Sequence, residues 1–513
     1  MKEGCLKNIV ILGAGLEGWS AAVALAKRLK GLDIGIRVID DGEQHASGSV
    51  QIPGESEFHQ LLGLDERTLI KRCSGTFRLA TQYVNWHRDG HDFYLGGGEC
   101  GANIGPIHFS DLVNSQQQLG TDLRFERFSV AAIAASQGRF SHPSRDRQSV
   151  LSTMDYTLQL DKESYRCLLK ASAKSHGVGT VVGRVSSVDL NPSDGGVERI
   201  QLMDGESIEA NLFLDCSGHR ATLLDGALGD VYKDWSQYLP CNRQVKFSLE
   251  NIKPNKSLGV VLSHAHGWIE QTPLRDKTAY NYTYQSEVSG TGDLLDSIQT
   301  VCGIKLSVEP KIHDLSPGRR EQFWKKNCVA LGAAAGQIDP SGLAGVHLLH
   351  EDILRLISLL PGGQSMGACS AEYNRRGREL YEHCRDFYAL YYCSVNKYTS
   401  SKPVCDSAHR QPSNRPFWRH CQSLELPDSL ASTLDLFMAR CKLKLMDGSP
   451  IEPSRWYALL NGLGFIPQRC DPKVFALRQE DVKAHLQRMQ QMTRQAAESL
   501  PPYDQYINQF VQQ

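Results

Sequence analysis

A glycine-rich turn between a short apolar run and a helical segment constrains this chain more than any other feature. Residues 8–12 (NIVIL) form a short run that is apolar after Asn8, as expected of a buried parallel strand. The turn, residues 13–18, matches G-x-G-x-x-G, and residues 19–29 place small and apolar side chains on one side of a helix. Residues 34–39 form a second apolar run, which Asp40 closes. This order of strand, turn, helix, strand and acid predicts a Rossmann-type βαβ unit that binds a dinucleotide.

Each glycine of the turn has a physical role in such a site. Gly13 permits the tight turn, Gly15 lets the backbone approach a pyrophosphate, and Gly18 lets helix and strand pack closely. The phosphates would bind at the helix N-terminus, where backbone N–H groups point outward without a partner. Asp40 lies about 20 residues further on, where an acid bonds a ribose hydroxyl. A purely structural glycine turn would leave this acid unexplained.

A second match to the glycine pattern, residues 96–101, is rejected as a phosphate-binding turn. Gly105 and Pro106 follow within a few residues, so no helix can begin there to receive a phosphate. We expect a glycine-rich loop instead. The chain therefore has one predicted dinucleotide site, and a second domain of Rossmann type that would bind NAD(P)H is not predicted.

The rest of the chain extends the βαβ unit into a larger α/β protein. Strands are expected at residues 179–190 and 328–331. Residues 332–340 then form a glycine-rich turn into a helix over about 346–360, which would aim a second helix N-terminus at the cofactor. The remainder of the chain is predicted to be mostly helical. Two regions are therefore expected: residues 1–370 and residues 371–513.

Composition narrows the class of protein. The net charge is −1 at pH 7, so neither nucleic acid nor an anionic membrane is an expected partner. The sequence has no run of about 18 apolar residues, the length that a membrane span requires. The 15 cysteines include no C-x-x-C pair, and neither His87 and His91 nor His264 and His266 have a Cys or carboxylate at a diagnostic spacing. We expect a cytoplasmic protein with reduced thiols and no metal site.

Longer strings, in order along nearly the whole chain, resemble those of the flavin-dependent tryptophan halogenases. These strings are NIVILGAGLEGW, LFLDCSGHRATLL, GWIEQTPL, REQFWKKNCVALGAAAG, EYNRRGRELYEHCRDFYALYY, PFWRHCQSLELPDSL and LPPYDQYINQF. The resemblance implies an α/β fold in two parts. Residues 1–370 would form an FAD-binding module of the aromatic-hydroxylase type with an inserted β-rich substrate region, and residues 371–513 a helical region over the substrate site.

The resemblance also implies a reaction and its partners. Members of the family receive FADH2 from a separate flavin reductase, and oxygen with chloride or bromide then yields hypohalous acid. A lysine and a glutamate direct the halogen to an electron-rich arene such as tryptophan or another indole. For this chain we expect FADH2, a halide ion, a flavin reductase and a small or carrier-bound aromatic substrate, and a homodimer is a compatible assembly.

The resemblance carries over to the cofactor positions residue by residue. Asp40 corresponds to the ribose acid and Val185 to the apolar residue whose backbone meets the adenine, whereas Glu17 stands where the family usually has a small residue. The backbone N–H groups of Ala344 and Gly345 correspond to the halide site. The expected cofactor-binding residues are Gly13, Ala14, Gly15, Glu17, Gly18, Asp40, Val185, Ala333 and Val346.

Three positions depart from the residues that carry the family's chemistry. Arg78 stands in place of the lysine, and a guanidinium that is always charged is a poor nucleophile. Gly342 stands in place of the glutamate, so that carboxylate is absent. Glu270 replaces the second tryptophan of the family marker Trp-x-Trp-x-Ile-Pro. We therefore expect poor halogenation, or none, of free tryptophan.

These departures leave three functions open. The first is FADH2- and oxygen-dependent halogenation in which Asp339 or Glu270 replaces the missing acid. The second is a flavin-dependent monooxygenase or oxidase on the same fold, which the altered marker favours. The third is a flavin-binding member of a biosynthetic pathway without turnover.

The glycine turn supplies a direct test of cofactor binding. We expect Gly15→Val to abolish FAD binding, because a branched side chain blocks the approach of the backbone to the pyrophosphate. Titration of the purified protein with FAD, followed by quenching of flavin fluorescence, measures the effect. FAD binding by the variant as tight as that of the parent protein would show that the site lies elsewhere.

Overall fold

The computed structural model describes residues 6–42, 48–87, 89–250, 256–287, 298–299, 303, 311–338, 344–360, 366–393 and 415–512. The strands, in chain order, are β1 (Asn8–Leu12), β2 (Gly35–Asp40), β3 (Ser49–Pro53), β4 (Thr76–Arg78), β5 (Ala80–Val84), β6 (Phe93–Gly98), β7 (Met154–Asp155), β8 (Thr157–Asp161), β9 (Gly179–Val182), β10 (Val185–Leu190), β11 (Val197–Leu202), β12 (Ser207–Glu209), β13 (Leu212–Asp215), β14 (Tyr232–Asp234), β15 (Arg243–Glu250), β16 (Leu258–Ser263), β17 (Gly267–Pro273), β18 (Lys277–Tyr284), β19 (Lys311–Asp314), β20 (Gly318–Arg320), β21 (Trp324–Lys325), β22 (Cys328–Ala330) and β23 (Gly336–Gln337).

Helices connect these strands and make up the regular structure that is described after residue 366. The α-helices are α1 (Leu16–Arg28), α2 (Glu57–Leu62), α3 (Glu66–Arg72), α4 (Phe109–Gln118), α5 (Val130–Ser136), α6 (Lys162–Ser175), α7 (Ala344–Leu359), α8 (Met366–Leu390), α9 (Pro416–Ser423), α10 (Asp428–Arg440), α11 (Pro453–Gly462), α12 (Gln479–Glu498) and α13 (Tyr503–Gln512). Among the described residues, no helix is long and apolar enough to cross a membrane.

The chain divides into two compact units, each assembled from three separate stretches. Unit 1 contains Met1–Gly75, Leu160–Ser236 and Leu315–Glu382, and unit 2 contains Thr76–Gln159, Gln237–Asp314 and His383–Gln513. The expected division at residue 370 stays a prediction about folding domains, because compactness does not establish which stretch folds alone.

Unit 1 is built on a six-stranded sheet with the order β21-β22-β13-β1-β2-β9. β1 lies between β13 and β2 and runs parallel to both, so that Ile9 pairs with Leu212 on one side and Ile36 on the other. Neighbours on both edges and the burial of residues 9–12 explain why these four residues of β1 are all apolar. The predicted α/β fold with a βαβ start is confirmed.

The expected single strand over residues 179–190 is wrong, because the structure forms two strands there. β9 joins the edge of the six-stranded sheet beside β2, whereas β10 pairs antiparallel with β11 in a separate three-stranded sheet. The backbone N–H of Gly183 donates to Asp40 O at 3.0 Å, and a Cβ at Gly183 would lie 2.8 Å from Leu202. The chain thus passes from one sheet to the other near Gly183, where there is little room for a side chain.

Unit 2 contains an eight-stranded sheet with the order β19-β15-β18-β17-β16-β5-β6-β7. Because side chains alternate along a strand, the sheet has two different faces. One face carries an apolar cluster of Val245, Ile269, Tyr280, Tyr282 and Tyr284.

The opposite face of this sheet is buried, and it carries polar side chains beside apolar ones such as Val261 and Trp268. In register, Glu270 on β17 lies opposite Asn281 on β18, and Gly259 on β16 lies opposite Thr81 on β5. Glu270, Asn281 and Thr81 are all less than 9% exposed. Polar side chains at such positions require partners, and those of Glu270 are described below.

The expected glycine-rich loop at residues 96–101 is wrong for its first three residues, because residues 96–98 end strand β6, whereas residues 99–101 follow the strand outside regular structure. Gly96 pairs with Ala80, and Gly97 pairs with Asp155 of β7. A Cβ at Gly97 would lie only 2.4 Å from the carbonyl oxygen of Asp155. The glycines therefore permit close approach of neighbouring strands.

Asp215, at the carboxyl end of β13, anchors the segment that follows it. Its Oδ2 accepts from the backbone N–H groups of Leu223 (2.8 Å) and Leu224 (2.9 Å), and its Oδ1 accepts from the Ser217 hydroxyl at 2.6 Å. The Asp215 side chain is completely buried, so its loss would leave the two backbone donors unsatisfied.

We expect Asp215→Ala to lower the free energy of unfolding by about 3 kcal/mol, because several hydrogen bonds to a buried charge are lost. Urea unfolding followed by circular dichroism measures this change. Asp204→Ala is the control, since Asp204 accepts one hydrogen bond from Glu206 N in an exposed turn. Equal effects of the two substitutions would contradict the anchoring role of Asp215.

Candidate functional site

The glycine-rich turn lies at the carboxyl end of β1 in unit 1. Gly13 has a φ of +110°, and its N–H donates to Ile39 O at 3.0 Å. Gly15 is the N-cap of α1, and Trp19 N donates to its carbonyl oxygen at 3.1 Å. The N–H groups of the first helical turn have no intrahelical acceptor, so this end of α1 can bind an anion.

Two glycines of the turn are required by close backbone packing. A Cβ at Gly13 would lie 2.3 Å from the carbonyl oxygen of Cys216, and a Cβ at Gly18 would lie 1.9 Å from the carbonyl oxygen of Gly13. Any larger residue at either position would displace the backbone. The turn is thereby held against the carboxyl ends of β1 and β13.

The two acidic residues of the predicted site occupy different places in unit 1. Asp40 ends β2, accepts from Gly42 N at 3.2 Å and lies 3.7 Å from the Lys170 ammonium. Glu17 lies beside the glycine-rich turn that follows β22, where its Cγ would be 2.4 Å from a Cβ at Gly332. Gly332 has a φ of +62°. The structure thus brings Glu17 next to Gly332, which is far from it in sequence.

A cavity of about 370 Å³ opens in unit 1 near this turn. Its lining residues are Leu12, Asp41, Arg184, Val185, Met203, Ser217, Arg220 and Thr222. Val185 was expected at the adenine, whereas Arg184, Met203 and Arg220 were not identified from the sequence. No local pattern marks these three residues, because they come from separate loops and strands that only the fold brings together.

The residues of this region fit an FAD molecule. The α1 N-terminus would supply N–H groups for its pyrophosphate, and Asp40 would supply a ribose acceptor. Met203 and Val185 are apolar residues of the cavity lining, and Arg184 and Arg220 are its cationic ones; Arg220 lies 3.5 Å from Asp41, which lines the same cavity. An apolar wall beside cationic groups suits an adenosine diphosphate.

The expected halide site falls at the start of α7, which begins at Ala344. The backbone N–H groups of Ala344, Gly345 and Val346 belong to the first helical turn and have no intrahelical acceptor, which makes them suitable for a small anion. Gly342 and Asp339 lie outside the described residues. The assignments to these positions stay predictions.

Buried histidines and a tyrosine support α7 inside unit 1. His350 stacks on Phe58 with 3.8 Å between ring centroids, and the Tyr165 hydroxyl lies 2.8 Å from His59 Nε2 and 3.4 Å from His350 Nε2. Burial lowers the pKa of His59 to about 4 and that of His350 well below its ordinary value. Both imidazoles are therefore neutral at pH 7 and act as packing and hydrogen-bonding groups.

In unit 2 the structure joins two of the departures that the sequence showed separately. Arg78 Nη1 donates to Glu270 Oε1 at 3.0 Å, and both side chains are only 4% exposed. Arg78 Nη2 donates to the Thr81 hydroxyl at 2.6 Å. Gln159, with its amide oriented to satisfy its neighbours, accepts from Nη1 at 3.0 Å. A Cβ at Gly259 would lie 2.1 Å from the Arg78 Cζ, so a larger residue there would displace this guanidinium.

This geometry limits what either residue can do. The guanidinium is fixed by three acceptors, stays charged and can donate hydrogen bonds, but it is not a nucleophile. The carboxylate of Glu270 compensates that charge. Two acids, Asp339 and Glu270, were expected to replace the missing glutamate. Of these, Glu270 lies in direct contact with Arg78, and Asp339 lies outside the described residues.

Comparison with known proteins identifies one family along nearly the whole chain. The family model described as tryptophan halogenase matches residues 8–479. The tryptophan 7-halogenase RebH of Lentzea aerocolonigenes is 23% identical over 552 residues, with 99% of each chain covered. The tryptophan 6-halogenase SttH of Streptomyces toxytricini is 24% identical over 541 residues, which cover 98% of this chain and 97% of that protein.

Solved structures of flavin-dependent halogenases are also similar to this chain. BrvH from Brevundimonas sp. BAL3 is 27% identical with a TM-score of 0.88, over 98% of this chain and 99% of that chain. Xcc4156 from Xanthomonas campestris is 26% identical with a TM-score of 0.87, over 99% of this chain and 98% of that chain.

The cavity in unit 1 can be tested at Val185. We expect Val185→Glu to weaken FAD binding at least about 10-fold, or about 1.4 kcal/mol, because it places a carboxylate where an apolar side chain would pack against the adenine. Fluorescence titration measures the affinity. Leu190→Glu is the matched control, since Leu190 ends the same strand, is 40% exposed and does not line the cavity. Unchanged FAD affinity of Val185→Glu would remove Val185 from the site.

Proposed function

The chain belongs to the tryptophan halogenase family, and from that premise we propose that it uses FADH2, oxygen and a halide to halogenate an electron-rich aromatic substrate. It is a flavin-dependent enzyme of the oxidoreductase type. The observation that carries the proposal is the complete nucleotide-binding unit, from β1 through the glycine turn to Asp40, in a chain that matches the family over residues 8–479.

Each region of unit 1 has a proposed part in binding. Reduced FAD, when bound, supplies the electrons that reduce oxygen. The first turn of α1 binds its pyrophosphate, Asp40 accepts from a ribose hydroxyl, and Val185 contacts the adenine. The N–H groups of Ala344 and Gly345 hold chloride or bromide at the α7 N-terminus, because that end carries partial positive charge.

In unit 2, Arg78 is the proposed contact for the oxidised halogen. A fixed guanidinium donates hydrogen bonds to the oxygen of hypohalous acid and makes its halogen more electrophilic, without forming a bond between nitrogen and halogen. This assistance is weaker than that of a nucleophilic amine. The proposed substrate is therefore an activated ring, such as a phenol, a pyrrole or an indole, and free tryptophan is proposed to react slowly.

A separate flavin reductase is the proposed source of FADH2. The sequence contains one credible dinucleotide turn, and the second glycine match is strand β6 rather than a phosphate-binding loop. A nicotinamide domain that would reduce the flavin within this chain is therefore not proposed.

One observation favours a second candidate function, an oxygenase or oxidase that uses the same cofactor. Glu270 stands where the family marker has its second tryptophan, and it is paired with Arg78 rather than packed as an apolar ring. A different environment at this marker is consistent with transfer of oxygen to the substrate instead of halogen.

Turnover with a panel of arenes separates these functions. The purified protein is incubated with FAD, a flavin reductase, NADH, oxygen and bromide, and products are identified by mass spectrometry. We expect a brominated phenol, pyrrole or indole, and conversion of free tryptophan at least about 100-fold slower than that of the best substrate, because electrostatic help to the ring cation is missing. Omission of the reductase should abolish turnover.

The outcomes are distinct. Products that gain oxygen in place of bromine support the second candidate, and FAD binding without any product supports a flavin-binding protein without turnover. Rapid bleaching of bound FAD by NADH alone contradicts the need for a separate reductase. The Gly15→Val variant serves as the control for products formed by hydrogen peroxide and bromide in solution.

A further inference from the structure

Arg78 and Glu270 form an ion pair that is buried. Both side chains are 4% exposed, and their charged atoms lie 3.0 Å apart. They come from β4 and β17, which are far apart in sequence, and both belong to unit 2. A charge buried to this extent is stable only when an opposite charge or several hydrogen bonds compensate it.

The surroundings of the pair are shaped to hold the guanidinium in one orientation. Thr81 and Gln159 accept from different nitrogens of Arg78, and the backbone of Gly259 lies against its Cζ. Glu270 adds the only one of these contacts that carries a charge. Loss of the carboxylate would therefore leave two hydrogen bonds but remove the charge compensation.

We infer that Glu270 is the positioning residue for Arg78 in the halogen-transfer step, and that positions 78 and 270 act as one functional unit. This inference rests on the proposed function. Glu270 acts through Arg78, because its carboxylate orients and neutralises the guanidinium that donates to hypohalous acid.

The pair also determines what a lysine could do at position 78. In Arg78→Lys, the ammonium would face the carboxylate of Glu270, and an adjacent anion favours its protonated form. In the double variant with Glu270→Gln, burial without that anion favours the neutral amine. Only the double variant should therefore present a nucleophilic nitrogen, which attacks the halogen of hypohalous acid and releases water as its own proton leaves.

A thermal unfolding cycle tests whether the two residues form a unit, and it does not depend on halogenation. Arg78→Met and Glu270→Met are each expected to lower the Tm of the full chain, whereas the double variant recovers most of the loss because both buried charges are gone. The exposed pair Arg494 and Glu498 is the control, and its cycle should show little coupling.

Additive losses in Tm would overturn the pairing. Should a methionine variant not fold, Arg78→Gln and Glu270→Gln, which remove the charges but keep polar side chains, replace it in the same cycle. Absence of bromination by the parent protein would contradict the proposed function. The thermal unfolding cycle would still show whether Arg78 and Glu270 are energetically coupled.

Kinetics test the positioning role with the arene that the parent brominates. Glu270→Gln should lower kcat about 10- to 100-fold with little change in the KM for the arene, because a misoriented donor slows transfer without weakening substrate binding. Glu126→Gln is the matched control. Its carboxylate is also in unit 2 and largely buried, but it accepts from Tyr94 N rather than from Arg78, and its kcat should not change.

The pH profile separates positioning from a merely structural role. Bromination by Arg78→Lys with Glu270→Gln should rise with pH across the neutral range, because the neutral amine becomes more populated as pH rises. Bromination by the single variant Arg78→Lys should stay low over the same pH range. Identical profiles of the single and double variants, or an unchanged kcat of Glu270→Gln, would overturn the inference.

Discussion

Backbone crowding at the carboxyl end of β1 is the constraint on which the rest of unit 1 depends. Gly13 lies against the carbonyl of Cys216, and Gly18 lies against the carbonyl of Gly13. Because no side chain fits at these contacts, α1 can start immediately after the strand with its N-terminus beside the ends of β13 and β2. The unpaired N–H groups, the ribose acid and the cavity at Val185 all follow from that placement.

Two further parts of the structure, around Asp215 and around Arg78, depend on the compensation of buried charge. Asp215 is completely buried and satisfies the backbone donors of the segment after β13, so a charged residue acts as an anchor. Arg78 and Glu270 compensate each other in the interior of unit 2. In both cases the charge is retained because its partners have a fixed geometry, and the loss of one partner costs more than the pair contributes.

The pairing gives the family comparison a physical meaning. An arginine in place of the lysine would, taken alone, bury an uncompensated and permanent charge. A glutamate in place of the tryptophan would, taken alone, bury a carboxylate. Together they form an ion pair over Gly259, so the two departures are best understood as one change of chemistry in a stable fold rather than as independent losses.

The sequence by itself determined the βαβ unit, the glycine turn and the α/β class, because these depend on local periodicity and on residues within one continuous segment. It did not separate β9 from β10, and it did not show that residues 96–98 end a strand, since both depend on close contacts with other strands. Only the tertiary structure placed Glu17 beside Gly332, assembled the cavity with Arg184, Met203 and Arg220, and paired Arg78 with Glu270. Contacts between segments that are distant along the chain leave no local pattern in the sequence. The tendency of each residue to form its own strand or turn does not depend on the partner that it later contacts.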